Sequence, residues 1–125
     1  MKKIKQLGIW MDHSIAYLME LTNDTIIENI VALETTQHEK ESDLNKNETL
    51  IQNKEQQFQS NYYKKLSDII RNYQEVILFG PTDAKNELLN LIKDDHLFEN
   101  IKFAVKDSDK MSAKQMHDFV KEYFK

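Results

Sequence analysis

The stretch Glu75–Lys93, EVILFGPTDAKNELLNLIK, constrains the fold more than any other part of the chain. It opens with Val76-Ile77-Leu78-Phe79, four apolar residues with no polar alternation. Such a run describes a strand buried on both faces, as in the middle of a mixed or parallel sheet. Gly80-Pro81 stops it. Glycine accepts a backbone that a Cβ would forbid, and proline has no N–H to give to a ladder. Thr82 reads as an N-cap, and Asp83 puts negative charge on the first turn of a helix. Ala84, Leu88, Leu91 and Ile92 then recur at helical spacing, which predicts a helix with one face packed on the sheet. Strand, tight turn and helix form the core half of a β-α-β unit. The N–H groups at Thr82–Ala84 are either capped by Thr82 and Asp83 or free to hold an anion such as an RNA phosphate. Capping is the plainer reading, because every helix N-terminus needs it.

Around this unit the pattern is regular. Leu7–Met11, Ile15–Leu21 and Thr25–Val31 read as three strands, joined by turns at Asp12-His13-Ser14 and Thr22-Asn23-Asp24. Together they predict an antiparallel meander. Gln56–Tyr73 reads as a helix, with Phe58, Tyr62, Leu66, Ile69 and Tyr73 on one stripe. Ile101–Val105 reads as a last strand. Ser112 with Gln115 forms a capping box that opens a final helix, and Ala113, Met116, Val120, Tyr123 and Phe124 supply its buried stripe. The order is β-β-β-α-β-α-β-α. Right-handed crossovers then require a mixed five-stranded α/β sheet with helices on its faces, the element order of the ribonuclease H-like fold.

The 125 residues are expected to form one such domain, 1–125. Residues 34–57 interrupt it with charges of both signs and almost nothing to bury. This insert is expected to be a mobile loop, a helical extension or a binding element. There is no cysteine, hence no disulfide and no thiolate metal site, which fits a reducing cytoplasm. The start, MKKIKQLGIWMDH, is broken at Asp12 and does not read as a signal peptide. No stretch is long enough to span a bilayer. A net charge of −4 argues against broad phosphate neutralisation but leaves room for a local basic patch. Arg71 is the one arginine, so rigid bidentate recognition of phosphate or guanine is poorly provided for.

The stretch VILFGPTDAKNELL resembles the strand-turn-helix in the middle domain of archaeal and eukaryotic peptide chain release factors and of Pelota. GIWMDHSIAYLMEL resembles the opening hairpin of that domain and of related bacterial release-factor-like proteins. In element order the resemblance covers Leu7–Phe124. It implies a translation-machinery domain of the ribonuclease H-like superfamily and a partner in the ribosome or its RNA. Release factors carry a Gly-Gly-Gln loop between the third strand and the first helix, where it promotes peptidyl-tRNA hydrolysis. Here the equivalent stretch has no glycine, since Gly8 and Gly80 are the two in the chain. Placing a glutamine amide and a water at an ester needs that permissive backbone. Peptide release is therefore not carried over, and a non-catalytic role is expected, either as a docked factor or as a small structural component of the ribosome.

Contacts to RNA or a partner are expected from the basic arm Lys2, Lys3 and Lys5, from Lys64 and Lys65, and from Thr82 and Lys85. The run Tyr62-Tyr63-Lys64-Lys65 could stack on bases and pair with phosphates, although Tyr62 at helical spacing fits a core and the two lysines a solvated face. One alternative is a metal-dependent nuclease or hydrolase of the ribonuclease H-like class. It needs several carboxylates around a pair of Mg²⁺ ions. Asp12 is its best candidate ligand, but the end of the central strand offers Phe79-Gly80 where a second carboxylate is required. A further alternative is a protein-protein adaptor acting through 34–57. His13, His38, His96 and His117 are scattered without metal-ligand spacing, and no Walker, dinucleotide or zinc pattern occurs, so no cofactor is implied.

Overall fold

The structure, a computed structural model, describes residues 4–23, 25–33 and 48–125, with 48–56 described by their backbone alone. Five strands run β1 (Gln6–Met11), β2 (Ile15–Thr22), β3 (Thr25–Ala32), β4 (Glu75–Gly80) and β5 (Lys102–Asp107). The helices are α1 (Glu48–Ile70), α2 (Ala84–Ile92) and α3 (Ala113–Tyr123), with a short 3-10 turn at His96–Phe98. The strands form one sheet in the order β3-β2-β1-β4-β5. β1, β2 and β3 pair antiparallel, while β4 pairs parallel to both β1 and β5. This is the mixed α/β arrangement that the element order predicts.

Alternation along the strands separates two cores. Leu7, Ile9, Met11, Ala16, Leu18, Val76 and Leu78 face α1 and α2, which contribute Tyr62, Leu66, Ile70, Leu88 and Ile92. Trp10, Met19, Ile77 and Phe79 face the other way, under Met116 and Val120 of α3. The apolar run of β4 is thus buried on both sides, because helices cover both faces of the parallel half of the sheet.

The turns follow their side chains. The Asp12 carboxylate accepts from the N–H groups of Ser14 and Ile15, at 2.8 and 2.9 Å. Asn23 turns the β2–β3 hairpin with φ of 49°. The capping box at Ser112 and Gln115 is formed in both directions.

Several boundaries and faces differ from the sequence reading. α1 begins at Glu48, eight residues before Gln56, so 48–57 is helical, while 34–47 lies outside the described residues. α1 ends at Ile70, and Asn72 and Tyr73 continue it only as tight turns onto the carbonyls of Ile69 and Ile70. The N-cap position of α2 falls on Asp83, which makes no side-chain cap. Thr82 sits one residue earlier, and its hydroxyl accepts from the Ala84 N–H at 3.2 Å. Leu91 is 64% exposed. The buried arc of α2 turns toward Lys85 and Leu89 and leaves Leu91 at its rim. On α3, Ala113 and Tyr123 are exposed, and the half-buried Phe119 stacks on Phe79 with ring centres 4.4 Å apart.

Candidate functional site

The chain turns away from the sheet at the carboxyl ends of β1 and β4, where open α/β sheets commonly bind ligands. Five side chains tie these ends together. From α1, the buried Tyr62 hydroxyl donates to the Asp12 carbonyl at 2.9 Å, and the Gln59 amide donates to the His13 carbonyl at 3.2 Å. One helical position on, the Tyr63 hydroxyl donates to Oε1 of Glu87 at 2.7 Å. The other carboxylate oxygen of Glu87 lies 3.1 Å from Nε2 of His13. Glu87 of α2 therefore joins α1 to the β1–β2 turn.

The electrostatics follow from this geometry. The Tyr63 hydrogen bond, then that of His13, holds the Glu87 carboxyl below its ordinary range. Burial, followed by the bond to Glu87, pushes the Tyr63 phenol up, so it stays a hydrogen-bond donor at neutral pH. Burial pushes Tyr62 up further, with Asp12 as the second cause. Beside the cluster lies an open cleft of about 550 Å³ between α1 and α2, lined by Gln59, Ser60, Tyr63, Glu87, Asn90 and Leu91. An ionised carboxylate held by a phenol, next to amides and an exposed leucine, is built to hold elements in place and to offer polar and apolar contacts.

Lys64 and Lys65 are exposed on the outer face of α1, and Lys5 is exposed ahead of β1. Lys2 and Lys3 lie outside the described residues. Thr82 is half-buried and serves the Ala84 N–H. Lys85 is only 1% exposed. Its ammonium donates to the Thr82 carbonyl and sits 2.9 Å from the Asp107 carboxylate, so it is committed to the β4–α2 turn and the end of β5. Its position on the inner arc of α2 explains this: the stem goes under the helix, and the buried ammonium ends between the Thr82 carbonyl and the Asp107 carboxylate. Asp12, the candidate metal ligand, spends one carboxylate oxygen on the turn. Among the described residues no three His, Asp or Glu side chains converge as a metal site.

Glu87, Gln59 and Asp107 escape a reading of the sequence. Glu87 meets His13 across 74 positions, and no local pattern links them. The one available signal was Glu87 in the first turn of a helix, which reads as ordinary dipole pairing.

The fold is shared with three solved structures. Pelota from Archaeoglobus fulgidus superposes over 97% of this chain with a TM-score of 0.61 at 11% identity. The chain has a Pelota-like fold. Thermoplasma acidophilum Pelota superposes over 94% at a TM-score of 0.59 and 12% identity. The archaeal translation termination factor aRF1 superposes over 90% at 0.57 and 14% identity. In each case the chain spans 32% of the other protein's length, so the Pelota-like fold corresponds to about a third of those molecules. No family model and no curated protein sequence matches the chain. Among the described residues no helix is long and apolar enough to cross a membrane.

Proposed function

We propose that this chain is a non-catalytic module of the translation machinery, acting in the cytoplasm on the ribosome or its RNA. The observation that carries the reading is the Pelota-like fold over nearly the whole chain, shared with an archaeal translation termination factor, in a sequence with no glycine between β3 and α1, where a Gly-Gly-Gln loop would stand. Further support comes from the carboxyl ends of the strands. β4 ends in Gly80, Asp12 serves its own turn, and the clustered side chains lock α1 and α2 to the sheet. A domain rigid at this end presents a fixed surface to a large partner. Lys5, Lys64 and Lys65 are exposed, and in this reading they contribute contacts to phosphate.

Sucrose-gradient fractionation of a low-salt lysate tests the reading. The protein is expected to sediment with ribosomal particles and to leave them as salt is raised. A protein that stays at the top of the gradient at every salt concentration refutes ribosome association.

A further inference from the structure

The two edges of the sheet are built differently. β5, at one edge, carries Lys102, Lys106 and Asp107 among its six residues. Charges on an edge strand discourage another strand from adding there. β3, at the other edge, has eight residues, with no proline, no glycine and no lysine. Its one charged residue, Glu28, is engaged by His117 of α3 at 2.8 Å. Its register with β2 runs without a bulge from Ile15↔Ala32 to Thr22↔Thr25. Ile27 and Ile30, on opposite faces of the strand, are 51% and 56% exposed. A long, regular, apolar edge is a template for strand addition.

Pairing geometry says which groups are on offer. Thr22 and Thr25 close a two-residue hairpin, so Thr25, Ile27, Asn29 and Val31 bond to β2. Ile26, Glu28, Ile30 and Ala32 therefore direct their N–H and C=O groups outward. The strand has no basic side chain for a nucleic acid, and it is self-complementary in one register. With a two-fold axis at Asn29, Asn29 faces Asn29 of the second copy. Glu28 then faces Ile30, Ile27 faces Val31 and Ile26 faces Ala32. Residues on the same side of the sheet meet, as an antiparallel pair requires. A register shifted by one residue at the axis would set Glu28 against Glu28, and like charges directly opposite are unfavourable.

We propose that β3 pairs antiparallel with β3 of a second copy of this chain, joining two five-stranded sheets edge to edge about an axis at Asn29. This dimer is independent of the translation reading. Because the chain contains no cysteine, Asn29→Cys introduces a single thiol at the axis. Opposed residues in this register lie within disulfide reach. Thr25→Cys is the control: in the same register the two copies of residue 25 are about 27 Å apart, eight residues along the strand. Under mild oxidation Asn29→Cys is expected to cross-link to a dimer and Thr25→Cys to remain monomeric. Sedimentation velocity on the unmodified full chain is expected to show a dimer at micromolar concentration. Ile30→Pro, which removes an outward N–H and leaves the bonds to β2, is expected to return it to monomer with an unchanged circular dichroism spectrum. A monomer throughout the accessible concentration range overturns the proposal. Equal cross-linking of the two cysteine variants overturns it too, as does a dimer that Ile30→Pro leaves intact. Should Ile30→Pro fail to fold, the cysteine pair decides the matter alone.

Discussion

Val120 of α3 fills the notch that Gly8 leaves in the middle of β1. A Cβ on residue 8 would run into the Val120 Cγ2 methyl. Gly8 points to the same face as Trp10, and its missing side chain lets α3 settle onto the sheet. Gly8→Ala is expected to destabilise the protein by about 1–3 kcal/mol, since a rigid β-branched neighbour cannot swing aside. Combining it with Val120→Ala is expected to recover part of that loss. Urea unfolding of the two single variants and the double variant measures the coupling, and strict additivity would show that the two sites do not interlock.

Gly80 is constrained by backbone instead. Its φ of +149° is unfavourable for any side chain, and an added Cβ would meet the Met11 carbonyl oxygen where β1 and β4 run side by side. Gly80→Ala is expected to cost at least about 2 kcal/mol. No side-chain truncation nearby should rescue it, because the obstructing atom is main chain. Thermal unfolding alongside Gly8→Ala tests this ordering.

Lys85 should matter to stability more than to binding. Lys85→Met keeps the volume but removes the donor to the Thr82 carbonyl, at about 1–2 kcal/mol. Asp107 is 94% exposed, so Asp107→Asn is expected to cost less than about 1 kcal/mol. Both variants are expected to sediment with ribosomes like the unmodified protein. Loss of association in folded Lys85→Met would return Lys85 to the contact surface.

Tyr63→Phe removes the first cause that holds the Glu87 carboxyl low. A carboxyl lowered on folding takes up its proton first in the unfolded chain, near pH 4.3. Its contribution is thus present above that pH and lost as pH falls through the folded value. Tyr63→Phe is expected to cost about 1 kcal/mol near neutrality. The gap to the unmodified protein should narrow as pH falls below about 4.3. Urea midpoints measured from neutral pH down to pH 3 check this. A gap that stays constant would mean that the bond to Glu87 contributes nothing specific.

Lys64→Glu with Lys65→Glu reverses charge on the exposed face of α1. Away from the core, Lys64→Glu by itself is expected to move stability by no more than about 0.5 kcal/mol. Ribosome association is expected to weaken and to become less dependent on salt, since fewer phosphates are neutralised. Unchanged sedimentation would place the contact elsewhere.

The element order, the doubly buried β4 and the tight stop after it were legible in the residues, because local backbone chemistry and the spacing of apolar residues act over a few positions. Val76–Phe79, Gly80-Pro81 and the Ser112–Gln115 box needed nothing from the rest of the chain. Faces were legible only in part. Ala84, Leu88 and Ile92 go under α2, but the tilt that buries Lys85 and exposes Leu91 depends on where the sheet lies beneath. The tertiary structure alone decided that Glu87 meets both His13 and Tyr63, and that Val120 lands on Gly8. It also decided that β3, and not a charged strand, is left at one edge. Those relationships join positions far apart in the chain, and their partners are set by how strands order and helices dock, which no local pattern encodes.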